Sequence, residues 1–253
     1  MDFREELLLV MEQKEHWSDP YFFGNNGHTS PIATRDGLLF HLRQEYIAYV
    51  NDFSNNLKRI LLKNPPYDVR KSLLDNILEE ETGTISGYKR SHPEMFLDMP
   101  EGFGYSREKF EKIIILEESL AYRSRLEIVT THFSWIEALA VMTIFVEGNY
   151  NERAELNNSR QLGDLEIKEE VRNHRFVKVY GLQWKYLDLK RAHLKVEHEH
   201  RTTSWRNVMN YTKTENEKRK VLDSVKKSLE SWINYREGVA REVGLQKYDF
   251  VTA

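Results

Sequence analysis

The sequence predicts an all-α protein, and three observations predict it. Apolar residues recur at three- and four-residue steps over most of the chain, as in Tyr46, Tyr49, Val50, Phe53, Leu57, Ile60 and Leu61; a helix buries such a stripe against a core. Only 12 Gly and 6 Pro interrupt 253 residues, which favours long elements. Strand signals are scarce, and the best of them, over 126–131, is discounted against the helical spacing.

The spacing places helices at roughly 2–16, 34–63, 67–82, 92–99, 107–126, 134–160, 165–180, 184–211 and 214–243. Ser134-x-x-Glu137 and Thr214-x-x-Glu217 have the spacing of a capping box, in which side chains satisfy the free N–H groups of a first turn. Asp68, after Pro65-Pro66-Tyr67, reads as an N-cap. Loops are marked by Asn25, Gly27 and Pro31, by Gly83 and Gly87, and by Pro100, Gly102 and Gly104. No repeat or linker divides the chain, so 1–253 reads as one domain of about seven long helices.

Composition narrows the function. There is no cysteine, so thiolate metal sites, iron–sulfur clusters, disulfides and a cysteine nucleophile are excluded. Lys and Arg total 37 against 40 Asp and Glu, a net charge of −3, which gives no electrostatic footprint for nucleic acid. The first residues are charged, and the longest apolar stretch, 136–146, is short and interrupted by Glu137. No membrane span or leader is expected, and a soluble cytoplasmic protein is the default.

Three patterns carry candidate chemistry. In His193-Leu-Lys-Val-Glu-His-Glu-His200, positions four and seven after His193 fall at about 400° and 700° around a helix, close to its own direction. His193, Glu197 and His200 therefore share one stripe. Two imidazoles and a carboxylate suit a divalent first-row metal, and a solvated polar face is the alternative. His198 and Glu199 lie off the stripe. The second pattern is Asn76-Ile-Leu-Glu-Glu-Glu81, followed by Ser91-His92-Pro-Glu94. With Leu73, Leu74, Ile77 and Leu78 taken as the apolar face, phase does not separate Glu80 from Glu81. The third is Glu147, which closes the apolar run 138–146 and is either emerging into solvent or an inward ligand.

At these residues the sequence resembles the haem-oxygenase-like diiron oxidase and oxygenase superfamily over about residues 35–235. The resemblance implies a seven-helix haem-oxygenase-like bundle. Its first motif, an Asn four residues before a ligand Glu and then a ligand His, matches Asn76, Glu80 and His92, and so selects Glu80. Its second, a Glu closing an apolar helix, matches Glu147. Its third, His-x-x-x-Asp-x-x-His, matches His193, Glu197 and His200. Two departures stand out: the interval from Glu80 to His92 is long, and Glu197 replaces the usual Asp.

The resemblance implies two Fe(II) ions held by Glu80, His92, Glu147, His193, Glu197 and His200, with manganese able to take similar ligands, and O2 as co-substrate. The substrate would be a small amino acid, amine or fatty acid, oxidised or cleaved in a biosynthetic pathway. A homodimer is an expected assembly. Relatives on the same fold set the alternatives: a metal-independent oxidase like pyrroloquinoline-quinone synthase, a hydrolase like thiaminase II (which uses the cysteine this chain lacks), or a non-catalytic interaction protein. Phe133, Trp135, Tyr150, Tyr186 and Arg191 are the expected pocket residues.

Overall fold

A computed structural model describes residues 2–23, 33–158 and 160–247, except for the side chain of Glu197. The described residues form helices and connecting loops, with no strand among them. In chain order the α-helices are α1 (Phe3–Glu12), α2 (Asp19–Phe23), α3 (Arg35–Glu45), α4 (Phe53–Leu61), α5 (Tyr67–Thr82), α6 (His92–Gly102) and α7 (Glu117–His132). They continue as α8 (Trp135–Leu139), α9 (Glu152–Asn157), α10 (Asp164–Asn173), α11 (Arg175–Tyr180), α12 (Asp188–Tyr211) and α13 (Glu215–Glu242). Two π-helical segments, Tyr46–Val50 and Ala140–Val146, continue α3 and α8.

The long helix α13 packs along α7 and also touches α1 and the second π segment. Its buried residues Val221, Val225, Leu229, Trp232, Tyr235 and Val239 follow the helical period, so a single face meets the core. Tyr235 stacks on Tyr122 of α7, with ring centroids 5.6 Å apart. Buried apolar residues from Phe3 to Leu245 belong to one continuous cluster. No helix among the described residues is long and apolar enough to cross a membrane.

Both expected capping boxes form, at Ser134/Glu137 and Thr214/Glu217. A third forms at Ser91/Glu94 and caps α6, whose first residue is His92. Asp68 is not an N-cap: α5 begins after Pro66, and Asp68 sits in its first turn. Gly83 ends α5 at φ 58°, where an added Cβ would lie 2.4 Å from the Arg90 carbonyl oxygen, so only glycine fits this return toward α6.

Several expected helices are broken, each for a local reason. The 34–63 stretch is α3, a π segment and α4, separated at Asn51 and Asp52. In 107–126, the β-branched run Ile113, Ile114 and Ile115 is not helical, and α7 starts only at Glu117. The 134–160 stretch stops after Val146 and resumes at α9, with Gly148 at the break. The 165–180 stretch divides at His174, whose ψ of 142° leaves the helix and whose Nδ1 accepts the N–H of Phe176 to cap α11.

Candidate metal centre

The C-terminal turn of α5 supplies the first carboxylates. Val69, Leu73, Asn76, Glu79 and Glu80 are buried, whereas Leu74 and Leu78 are 53% and 44% exposed. The core face of α5 thus lies away from those leucines and carries acids. Glu79 is fully buried; its Oε2 accepts the N–H groups of Ile85 (2.8 Å) and Ser86 (2.9 Å).

α6 aims His92 between the two carboxylates. Its Nδ1 lies 2.8 Å from Glu80 Oε1 and its Nε2 lies 3.2 Å from Glu79 Oε1. Burial disfavours the imidazolium, but the hydrogen bonds to Glu79 and Glu80 outweigh it and hold His92 at about 9. The same balance acts on Glu79: burial raises its pKa, while the hydrogen bonds from His92 and Ser86 bring it down to about 2.

From α12, His193 Nε2 comes within 3.2 Å of His92 Nδ1. Ligand-type atoms of Glu80, His92 and His193 all lie within 4.8 Å of one another. Burial, with the charge on His92, pushes the His193 pKa well down, and burial lowers that of His200. Both rings are therefore neutral near pH 7 and keep a lone pair to offer a metal.

The π segment delivers Glu147. Its backbone N–H bonds five residues back to Met142 at 3.3 Å, the widened turn that often marks a functional position in a helix. Asn76 Nδ2 donates to Glu147 Oε1 at 2.7 Å and ties this carboxylate to α5. The turn is held from below by Lys14, whose Nζ donates to the carbonyls of Phe145 and Gly148, each at 2.6 Å. Burial brings Lys14 down to about 7. Gly148 has no room for a side chain: a Cβ would lie 2.2 Å from Ile144 O and 2.9 Å from Glu152 Oε2.

Glu80, His92, Glu147, His193 and His200 all line one small void of about 70 Å³. Five of the six expected ligand residues thus surround one space, and the side chain of the sixth, Glu197, lies outside the described residues. Glu152 also lines the void; it accepts from Trp205 Nε1 at 2.7 Å and sits 3.6 Å from Arg201 Nε. Arg201 pairs with Glu155 as well. The spacing pattern left out Glu79, Glu152 and Lys14. A phase drawn through Val69, Leu73 and Asn76 would have exposed the acidic face of α5, and Gly148 would have broken the helix ahead of Glu152. No sequence signal marks Lys14.

The void opens on a cavity of about 490 Å³, whose wall is largely apolar and includes Phe53, Met95, Phe96, Met99 and Phe176. Glu45, His174, Arg175 and Lys190 are its polar groups beside the cluster. Of the five expected pocket residues only Tyr186 lines it. Phe133 lies under Arg125 and Trp135 packs on Tyr211; Arg191 pairs with Asp188 and covers Trp184; Tyr150 lines none of the three cavities described.

The donor set fits a divalent first-row metal. Two ligands at right angles about 2.1 Å from one ion lie about 3 Å apart, and the contacts of His92 Nδ1 with Glu80 (2.8 Å) and His193 (3.2 Å) have that spacing.

Comparison with solved structures finds the same fold at low identity. A TenA homolog from Pseudomonas syringae pv. tomato superposes with TM-score 0.63 at 10% identity, covering 94% of this chain and 90% of the other. A TenA family transcription regulator from Silicibacter sp. TM1040 gives TM-score 0.53 at 14% identity, covering 92% and 96%. No curated protein matches. Residues 40–233 match the model of a family described as iron-containing redox enzymes, a stretch that runs from α3 into α13 and includes every residue of the cluster; the chain belongs to that haem-oxygenase-like family.

Proposed function

We propose that the protein is an O2-dependent non-haem diiron oxidase or oxygenase acting on a small organic molecule. The observation that carries this reading is the convergence of Glu80, His92 and His193 on one point, with Glu147 and His200 lining the same void. Helical bundles build dinuclear sites from inward Glu and His on facing helices. Glu80, His92 and His193 would hold one iron, and Glu147, His200 and Glu197 complete the set for a second. Bound ferrous iron supplies the electrons that activate O2.

The protein's own contribution is positional. Glu79 accepts the Nε2 proton of His92, which fixes the ring and turns Nδ1 toward Glu80 and His193. Asn76 holds Glu147, and Trp205 holds Glu152. Neutral His193 and His200 offer lone pairs with no proton to shed. The largely apolar cavity gives the reacting molecule a surface to lie on.

The test is an anaerobic titration of metal-free protein with Fe(II). About two irons should bind per chain, as the two sets of ligands imply, and exposure to O2 should give a transient visible absorption. No bound iron and full activity in chelator would sink the reading and favour a metal-independent enzyme on the same fold.

A further inference from the structure

The cluster stands between two spaces of different polarity. The apolar cavity shares Glu80, His92, Glu147 and His193 with the small void. A second cleft, about 680 Å³, shares Thr143, Val196 and His200 with it. This cleft runs between α5, α12 and the start of α10; it has apolar residues such as Leu73, Ile85 and Leu162 in its wall but is more polar than the apolar cavity. Exposed Asp75, Asp164 and Glu199 line its outer part, and buried Ser204 and Asn207 line it further in. Lys71, Lys195 and Arg206 share the wall with these acids and Asp68, so it suits ions and water better than the apolar cavity does.

Asn76 adds an independent observation. It is 4% exposed and lines the cleft. Its amide nitrogen is committed to Glu147, while its Oδ1 is buried with no hydrogen-bond partner. A buried amide oxygen without a donor costs free energy unless a water or cation meets it. The side chain that positions Glu147 therefore also carries an unused, buried acceptor beside the cleft.

We propose that this polar cleft is the port through which hydrated ferrous iron and water reach the cluster, and that the organic molecule uses the apolar cavity on the other side. The proposal rests on the reading of the cluster as a metal site. A hydrated dication gives up its water only where polar groups replace it. The cleft offers such groups from its exposed acids inward to His200, whereas on the cavity side the polar groups are set among Phe53, Met95, Phe96, Met99 and Phe176.

The test follows the rate of Fe(II) uptake by metal-free, full-length protein in anaerobic stopped-flow competition with a coloured ferrous chelator. Asp75→Lys with Glu199→Lys reverses two exposed charges in the cleft and leaves the core untouched. Thr203→Trp narrows the cleft from a half-buried position, and Met99→Trp fills the apolar cavity instead. The two cleft variants should slow uptake about tenfold at low salt, with the iron bound at saturation unchanged. Met99→Trp should keep the original rate. Unchanged rates in the charge-reversed protein, or slowing in Met99→Trp alone, would overturn the port. The metal reading fails separately: there the unaltered protein takes up no iron at equilibrium, and both ideas fall. Full stoichiometry with rates insensitive to the cleft removes the port only.

Discussion

The two halves of the cluster are built differently. On the α5–α6 side, His92 has a carboxylate on each nitrogen, Glu79 is anchored by two backbone N–H groups, and a capping box fixes the start of α6. On the α12 side, His193 meets that half through one 3.2 Å contact with His92, and it and His200 are neutral rings near pH 7. The first half is held in place by protein alone. The second supplies neutral rings which, on the proposed reading, wait for a metal. Preformed and waiting halves of this kind should differ in how they respond to change.

The largest effect is expected at the bridge between them. Glu147→Ala removes the carboxylate that Asn76 ties to α5, and iron bound at saturation should fall from about two per chain to about one. Unchanged stoichiometry would strike Glu147 from the ligands. Glu79→Gln leaves every proposed ligand in place but removes the charge behind His92. Iron affinity should drop about ten- to a hundredfold in a competition titration; a purely structural Glu79 would alter melting and spare affinity.

Gly148→Ala should destabilise the fold by about 2–4 kcal/mol, because its Cβ would meet the Ile144 carbonyl as well as the Met11 and Glu152 side chains, and the carbonyl cannot move aside as a side chain can. A denaturant midpoint equal to that of the unaltered protein would show the turn to be softer than its contacts indicate. Acid should act on the cavity side. Burial first, then the charges of Lys190 and Arg175, hold His174 at about 4 in the folded chain, below its ordinary value of 6.5. The unfolded chain then binds more protons between those values. The stability contribution is complete above pH 6.5 and is lost as pH falls toward 4, by about 3 kcal/mol at most. His174→Gln should flatten this part of the pH profile of melting. The smallest effect is Ser91→Ala, which opens the capping box beside His92 and costs about 1 kcal/mol, or about 2–4 °C in Tm.

How far the sequence could be read depended on whether the relevant interaction was local. The His193, Glu197, His200 stripe follows from helix pitch, and the Ser134 and Thr214 caps follow from three-residue spacing, since both lie within one helix. Glu80 could be told from Glu81 only by resemblance, because α5 turns two leucines outward and the apolar pattern pointed the wrong way. Glu79 was missed for the same reason: its partners, Ile85, Ser86 and His92, belong to the next loop and helix. The pocket residues Phe133, Trp135, Tyr150 and Arg191 were misplaced because aromatic spacing does not say which neighbour a side chain meets.

The chain by itself determined an all-α fold, the absence of thiolate chemistry and the single helical stripe shared by His193, Glu197 and His200. These depend on composition and on periodicity within single elements. Only the tertiary structure decided that residues from α5, α6, the second π segment and α12 share one void, that Lys14 and Gly148 shape the Glu147 turn, and that the void lies between a largely apolar cavity and a more polar cleft. The physical reason is distance along the chain. A pitch relates residues a few positions apart, whereas a pocket is made by packing between helices, and no local pattern records which faces meet.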